Sequence, residues 1–223
     1  MKGGRGMRRE SGTVVKVRGI ELGRHRSARA LNPNFARATP LIKLIVEISG
    51  GADPRRAFRR AVTTLVKICP DLSRHSCIGR DGTSFLVGSE NACDDLAHLL
   101  EHVVIDLGAR LTSLDRVSGV TCGLRYPANR YHIFVECDEK RSGEFAIRLA
   151  AWALERSTNG RASIPSLYAV ARAYAHVERR PILLEDGAAL ARSARLPPAE
   201  AGAIVRLVRK FRPSDGEAKA AKR

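Results

Sequence analysis

Long apolar runs are missing from this chain. None approaches the ~18 residues that a membrane-spanning helix requires, so no span is expected. The basic start MKGGRGMRRESG is followed by no apolar segment, which argues against a secretory signal. Cysteine is sparse and unpaired: Cys69, Cys77, Cys93, Cys122 and Cys137 make an odd count without a C-x-x-C. Reduced thiols in a cytoplasmic protein are therefore expected, and a disulfide framework is not. Aromatic residues are only 5% of the chain, which leaves little for stacking on nucleic-acid bases. No internal repeat is present.

Acidic residues are also in deficit, and the net charge is +16. The excess is not evenly spread. Residues 1–37 hold ten basic and two acidic residues, residues 38–157 sixteen and fifteen, and residues 158–223 thirteen and six. The basic ends would attract a polyanion or an acidic surface, whereas the middle is almost neutral.

What is present in that middle is apolar patterning on the scale of one domain. With 44% apolar residues, a core of ordinary size can form. Residues 1–12 read as a disordered basic arm and residues from Pro213 onward as a solvated tail. TVVKVRGIEL and LIKLIVEIS (Leu41 to Ser49) read as strands, separated by a loop rich in turn signals. Asp53 and Pro54 open an amphipathic helix that carries Phe58, Val62, Leu65 and Val66 on one face. A short strand near Phe85–Val87 precedes a helix from about Asn91 to Leu107 or a little beyond, capped by Ser89 or Asn91, with Gly108 as a candidate C-terminus. A strand over Arg130–Cys137 and a helix burying Phe145, Leu149, Trp152 and Ala153 complete a domain over 13–157. Residues 158–212 read as a basic helical extension. The irregular mixture of strands and helices predicts an α+β fold, with a mixed or antiparallel sheet packed against helices.

The chemistry concentrates in DDLAHLLEHVVIDLG. His98 and His102 are four residues apart, so a helix puts both on one face, one turn apart, where a single ion can accept a nitrogen from each. Glu101 lies beside that face, within reach of a water on the ion. Zinc suits a pair of imidazoles, and His-x-x-Glu-His is the inverzincin arrangement. A third ligand is offered by YHIFVECD: His132, Phe134, Glu136 and Asp138 share one side of the strand, and Tyr131, Ile133, Val135 and Cys137 the other. Glu136, among apolar residues, is an expensive carboxylate unless a metal or an arginine partners it. His132 is a rival ligand or a supporting donor. His75 and Cys77 are expected to be structural, in the loop below the helix. The plain alternative is a core helix whose histidines are polar flanks.

The stretch from Leu65 to Gly108, followed by YHIFVECDE and FAIRLAAWALE, resembles the N-terminal domain of cyanophycin synthetase. CPDLSRHSC carries the family's Pro, Leu, His and Cys as Pro70, Leu72, His75 and Cys77. His98, Glu101, His102 and Val103 match its His-x-x-Glu-His-Val helix, with Asp106 where the family has Glu, and Tyr131 to Glu136 match its Tyr-x-Val-Val-x-Glu strand. GVTCGLRYPANRY replaces the family's Gly-Arg-Thr-Arg segment. The resemblance implies an α+β domain that binds the Asp-Arg polymer cyanophycin and, in some members, cuts it. It implies His98, His102 and Glu136 as metal ligands and Glu101 as general base. The chain is too short for the family's two ligase modules, so polymerisation is not expected.

Two functions follow as expectations. One is a zinc-dependent amide hydrolase acting on an arginine-containing polypeptide, with Arg125, Arg130 or His132 contacting substrate. The other is a non-catalytic binding module that docks on the polymer, on an acidic protein or, through Arg206, Arg209, Lys210 and Arg212, on nucleic acid.

Overall fold

The computed structural model describes residues 12–36, 38–51, 53–78, 84–87, 95–160 and 163–213. The expected N-terminal arm and C-terminal tail lie outside these residues apart from Gly12 and Pro213, as do Ser89 and Asn91.

The fold is α+β. A four-stranded sheet runs in the order β1 (Val14–Gly23), β2 (Leu41–Ser49), β6 (Arg130–Glu136), β5 (Gly119–Gly123), and every neighbouring pair is antiparallel. Gly50 and Gly51 end β2 with φ of +84° and +86°, a backbone conformation that glycine adopts without a side-chain penalty. Two short strands, β3 (Ser76–Ile78) and β4 (Ser84–Leu86), form a separate hairpin-like pair.

The helices are α1 (Arg26–Leu31), α2 (Pro54–Ile68), α3 (Leu96–Leu111), α4 (Lys140–Thr158), α5 (Leu167–Arg179), α6 (Gly187–Ser193) and α7 (Ala201–Phe211). Asp53 caps α2 as expected, its carboxylate accepting from Arg56 N at 3.0 Å, with Pro54 in the first turn. Asp95 caps α3 through Ala97 N at 2.8 Å. Gly108 does not end that helix. The helix continues to Leu111, and Gly108 O accepts from the N–H of Thr112 at 2.9 Å.

One main core unites these parts. Ile42, Leu44, Ile133 and Val135 from the sheet meet Leu100, Val103 and Leu107 of α3 and Phe145 and Leu149 of α4. The same cluster takes in Leu167, Val170 and Tyr174 of α5 and Ile204 and Val208 of α7. Phe145 stacks on Tyr174 with ring centroids 3.8 Å apart. Each such side chain contributes about 1.5–3 kcal/mol through burial. On the opposite face of the sheet, Phe134 and Leu41 meet Ala28 and Phe35 in a smaller cluster. This second layer comes from α1 and the turn after it, a segment whose sequence reads as loop because the helix is six residues long and lacks a capping side chain.

α3 is the centre of the molecule, packed against α4, α5, β5 and β6. Its surroundings bury not only its leucines and valines but also Glu101, His102 and Asp106. No helix of the described residues is long and apolar enough to cross a membrane.

Candidate metal centre

Placing ionisable groups on a helix enclosed on most sides has a physical consequence. A buried polar group without partners costs several kcal/mol, so each should find a partner or a ligand. His102 finds three. Its Nε2 lies 3.0 Å from Cys77 Sγ and 3.2 Å from His98 Nε2, while its Nδ1 lies 3.4 Å from His75 Nδ1. Cys77 arrives on β3, whose pairing with β4 sets Cys77 opposite Phe85. One ligating atom from each of Cys77, His98 and His102 falls within 4.8 Å of the others, so this group could hold a metal ion.

The spacing and the chemistry of the donors suit such an ion. With bonds of about 2.05 Å to nitrogen and 2.3 Å to sulfur, tetrahedral zinc separates two nitrogens by about 3.3 Å and a nitrogen from a sulfur by about 3.6 Å. The nitrogen pair, at 3.2 Å, matches, whereas the sulfur, at 3.0 Å from His102 Nε2, sits about 0.6 Å closer than that geometry and would move outward to admit an ion. Burial, followed by the neighbouring His98 and His75, pushes the pKa of His102 down to about 3. Burial likewise lowers that of His98. Both rings are thus held in the neutral form that a metal requires. Cys77 and His102 are buried, and His98 is half-buried at the rim.

Glu101 points elsewhere on the same helix, towards β5. Thr121 donates from Oγ1 to Glu101 Oε2. A Cβ added at Gly119 would stand 2.8 Å from Glu101 Oε1 and 2.9 Å from Ile105 Cδ1, so this glycine leaves room for the carboxyl. Burial outweighs the Thr121 hydrogen bond and pushes the Glu101 pKa up to about 7.

The structure does not bring Glu136 to the histidine pair. Alternation along β6 puts Ile133 and Val135 on the face that α3 covers and Phe134 on the opposite face. Glu136 follows Phe134. Its Oε1 accepts from Ala36 N at 2.5 Å and its Oε2 from Ser118 N at 2.9 Å, so two backbone amides satisfy this buried carboxylate. His132 shares that far face, with its ring 6.4 Å from Phe134. Arg130 lies 3.6 Å from Glu47 across the sheet, and Arg125 is exposed in the turn after β5. None of these four joins the Cys77–His98–His102 group.

Cys77 is the residue whose expected role changes. Its sequence signal was the His-Ser-Cys spacing ahead of the helix, which does not reveal that β3 folds back over His102. Of the basic residues at the C-terminal end, Arg209 donates to Leu184 O at 2.7 Å and Arg212 to Glu178 Oε1 at 2.9 Å, so both are engaged within the fold. A cleft of about 440 Å³ between β1 and α4, lined by Arg18, Lys140, Glu144 and Arg148 among others, contains none of the cluster residues.

No protein-family model matches this chain, and no curated protein matches it.

Proposed function

We propose that the protein is a metal-dependent hydrolase of amide bonds, with Cys77, His98 and His102 holding zinc and Glu101 acting as general base. The observation that carries this reading is the convergence, within 4.8 Å, of one ligating atom from β3 and two from α3, the helix that also buries a carboxyl one residue before His102. Zinc held there supplies Lewis acidity to a carbonyl and lowers the pKa of water to about 7. Cys77, His98 and His102 would supply three protein ligands, the number found in catalytic zinc sites. Glu101, one residue before His102, is the base this reading assigns to the attacking water, and it would have to turn from β5 towards His98 and His102 to take that proton and pass it to the leaving nitrogen. Thr121 and the space beside Gly119 hold the carboxyl at β5 in the resting arrangement. Half-buried His98 marks the side from which a substrate reaches the group.

The substrate we assign is an arginine-containing polypeptide of the Asp-Arg type. Its support is the ordered set of motifs, from CPDLSRHSC to YHIFVECDE, by which the chain resembles the cyanophycin synthetase N-terminal domain.

A second reading is favoured by the burial of Cys77 and His102. A metal in so enclosed a place could simply pin β3 to α3 in a binding module without chemistry.

Metal analysis combined with peptide hydrolysis, comparing wild type with Glu101→Gln, separates the readings. The hydrolase reading expects about one zinc per chain in both proteins and a rate about 10²–10⁴-fold lower in the variant. Zinc in both without any difference in hydrolysis assigns the metal a structural role. A wild-type protein that takes up no zinc overturns the site itself.

A further inference from the structure

Asp106 is the buried group that the proposed chemistry leaves unused. It lies one helical turn after His102, is 4% exposed, and its Oδ2 has no hydrogen-bond partner among the described residues. Its Oδ1 lies 3.7 Å from His75 Nε2. His75 in turn presents Nδ1 to Nδ1 of His102 at 3.4 Å. A continuous line therefore runs from the candidate metal ligand through a second imidazole to a buried carboxylate.

We infer that His75 and Asp106 are positioning residues for His102, fixing its tautomer and balancing the charge of the ion that Cys77, His98 and His102 hold. The inference rests on the metal reading of that group and deepens it.

The proton inventory permits one consistent arrangement. His102 can give the Nε2 lone pair to a metal only when its proton is on Nδ1. That N–H then needs an acceptor, and the nearby acceptor is Nδ1 of His75. A neutral His75 accepting at Nδ1 carries its own proton on Nε2, the nitrogen facing Asp106. Ligating histidines generally have their second nitrogen tied down in this way, because a free ring would rotate out of register with the ion.

The charges close as well. A divalent ion bound by one thiolate and two neutral imidazoles carries a net charge of +1, which is expensive in a buried site. Asp106 brings −1 to the far side of the same histidine line. Arg110, one turn further along α3, feels the charge of both Asp106 and Asp71, forms its ion pair with Asp71 and stacks over Tyr168 at 3.4 Å, so Asp106 shares that cation rather than owning it. Tyr168 and the Cys69 thiol lie against the Asp106 carboxylate, yet its Oδ2 keeps no hydrogen-bond partner among the described residues. With the ion bound, the carboxylate has a cation to balance. Burial, then the charge of Asp106, raises the pKa of Cys69, so that thiol stays protonated and adds no further negative charge.

The test uses the full chain, with zinc affinity measured by competition against a chromophoric chelator and the His102 tautomer read in metal-free protein from long-range ¹H–¹⁵N correlations. Asp106→Asn and His75→Phe should each weaken zinc binding about 10–100-fold. His75→Asn, which retains an acceptor for His102, should recover to within about threefold of wild type. The metal-free wild type should show His102 protonated on Nδ1, and His75→Phe should move that proton towards Nε2. Zinc affinity unchanged in Asp106→Asn, or a His102 tautomer unchanged in His75→Phe, overturns the inference. If wild type takes up no zinc, the metal reading fails by itself, and the tautomer comparison still decides whether His75 positions His102.

Discussion

Replacing Glu136 with glutamine asks whether that carboxylate serves the metal or the backbone. Its two oxygens accept from Ala36 N and Ser118 N, joining the turn after α1 and the segment before β5 to the end of β6. Glutamine can offer only one acceptor oxygen, and its amide would face a donor with another donor. One charge-assisted bond, worth about 1.5–3 kcal/mol, becomes a neutral one, and one buried N–H loses its acceptor at about 1–3 kcal/mol. Destabilisation of about 3 kcal/mol follows. At roughly 2–4 °C per kcal/mol for a chain of this size, Tm should fall by about 6–12 °C. Zinc bound per chain should not change. Thermal unfolding and metal analysis of the same preparation give both numbers. A variant that keeps its Tm and loses its zinc would make Glu136 a ligand and refute the account of the far sheet face.

Three further outcomes follow from the same geometry. Saturating zinc at about 100-fold above its Kd should stabilise the protein by about 2.7 kcal/mol, an effect that a chelator reverses and Cys77→Ala removes in thermal scans. Gly119→Ala puts a methyl group 2.8 Å from Glu101 Oε1, so kcat should fall at least about tenfold with zinc content intact. In metal-free protein burial holds the Glu101 pKa up at about 7, above the ordinary 4.5 of a glutamate, so its folded state resists ionisation: the penalty is absent below about pH 4.5, grows with pH, and is complete above about pH 7 at about 3 kcal/mol. Relative to wild type, Glu101→Gln should therefore gain about that much stability between pH 4.5 and pH 8 in urea titrations, and a difference independent of pH would refute the burial argument.

The α+β class was readable because the long elements carry strong local signals. LIKLIVEIS has the apolar density of a strand covered on both faces, and Asp53-Pro54 marks where α2 begins. Short elements are another matter. β5 reads GVTCG, two of its five residues being glycine, and takes its place from pairing with β6 rather than from its own pattern. α1 has six residues and no capping side chain, yet it supplies the layer over Phe134. Missing that layer is what made Glu136 look like a carboxylate in need of a metal. Alternation correctly separated Phe134 and Glu136 from Ile133 and Val135, but one strand cannot say which side the helix takes.

The histidine pair was legible for a stronger reason. Spacing within one helix is local, and the fold changes only what surrounds it. The surroundings decided the third ligand, since Cys77 reaches His102 from a three-residue strand held by its pairing with β4. They also decided how much the polar residues of α3 matter. On a solvated helix His98, Glu101, His102 and Asp106 would be unremarkable. Enclosed by α4, α5 and the sheet, three of the four are buried, and apolar residues of similar volume would make a more stable core. A helix that keeps a neutralised imidazole, a raised carboxyl and a carboxylate oxygen without a donor in its interior carries a stability deficit that packing alone does not explain. A divalent cation on His102 balances the charge of Asp106 through the intervening His75, and it gives Cys77, His75 and Asp106 a common reason to converge there.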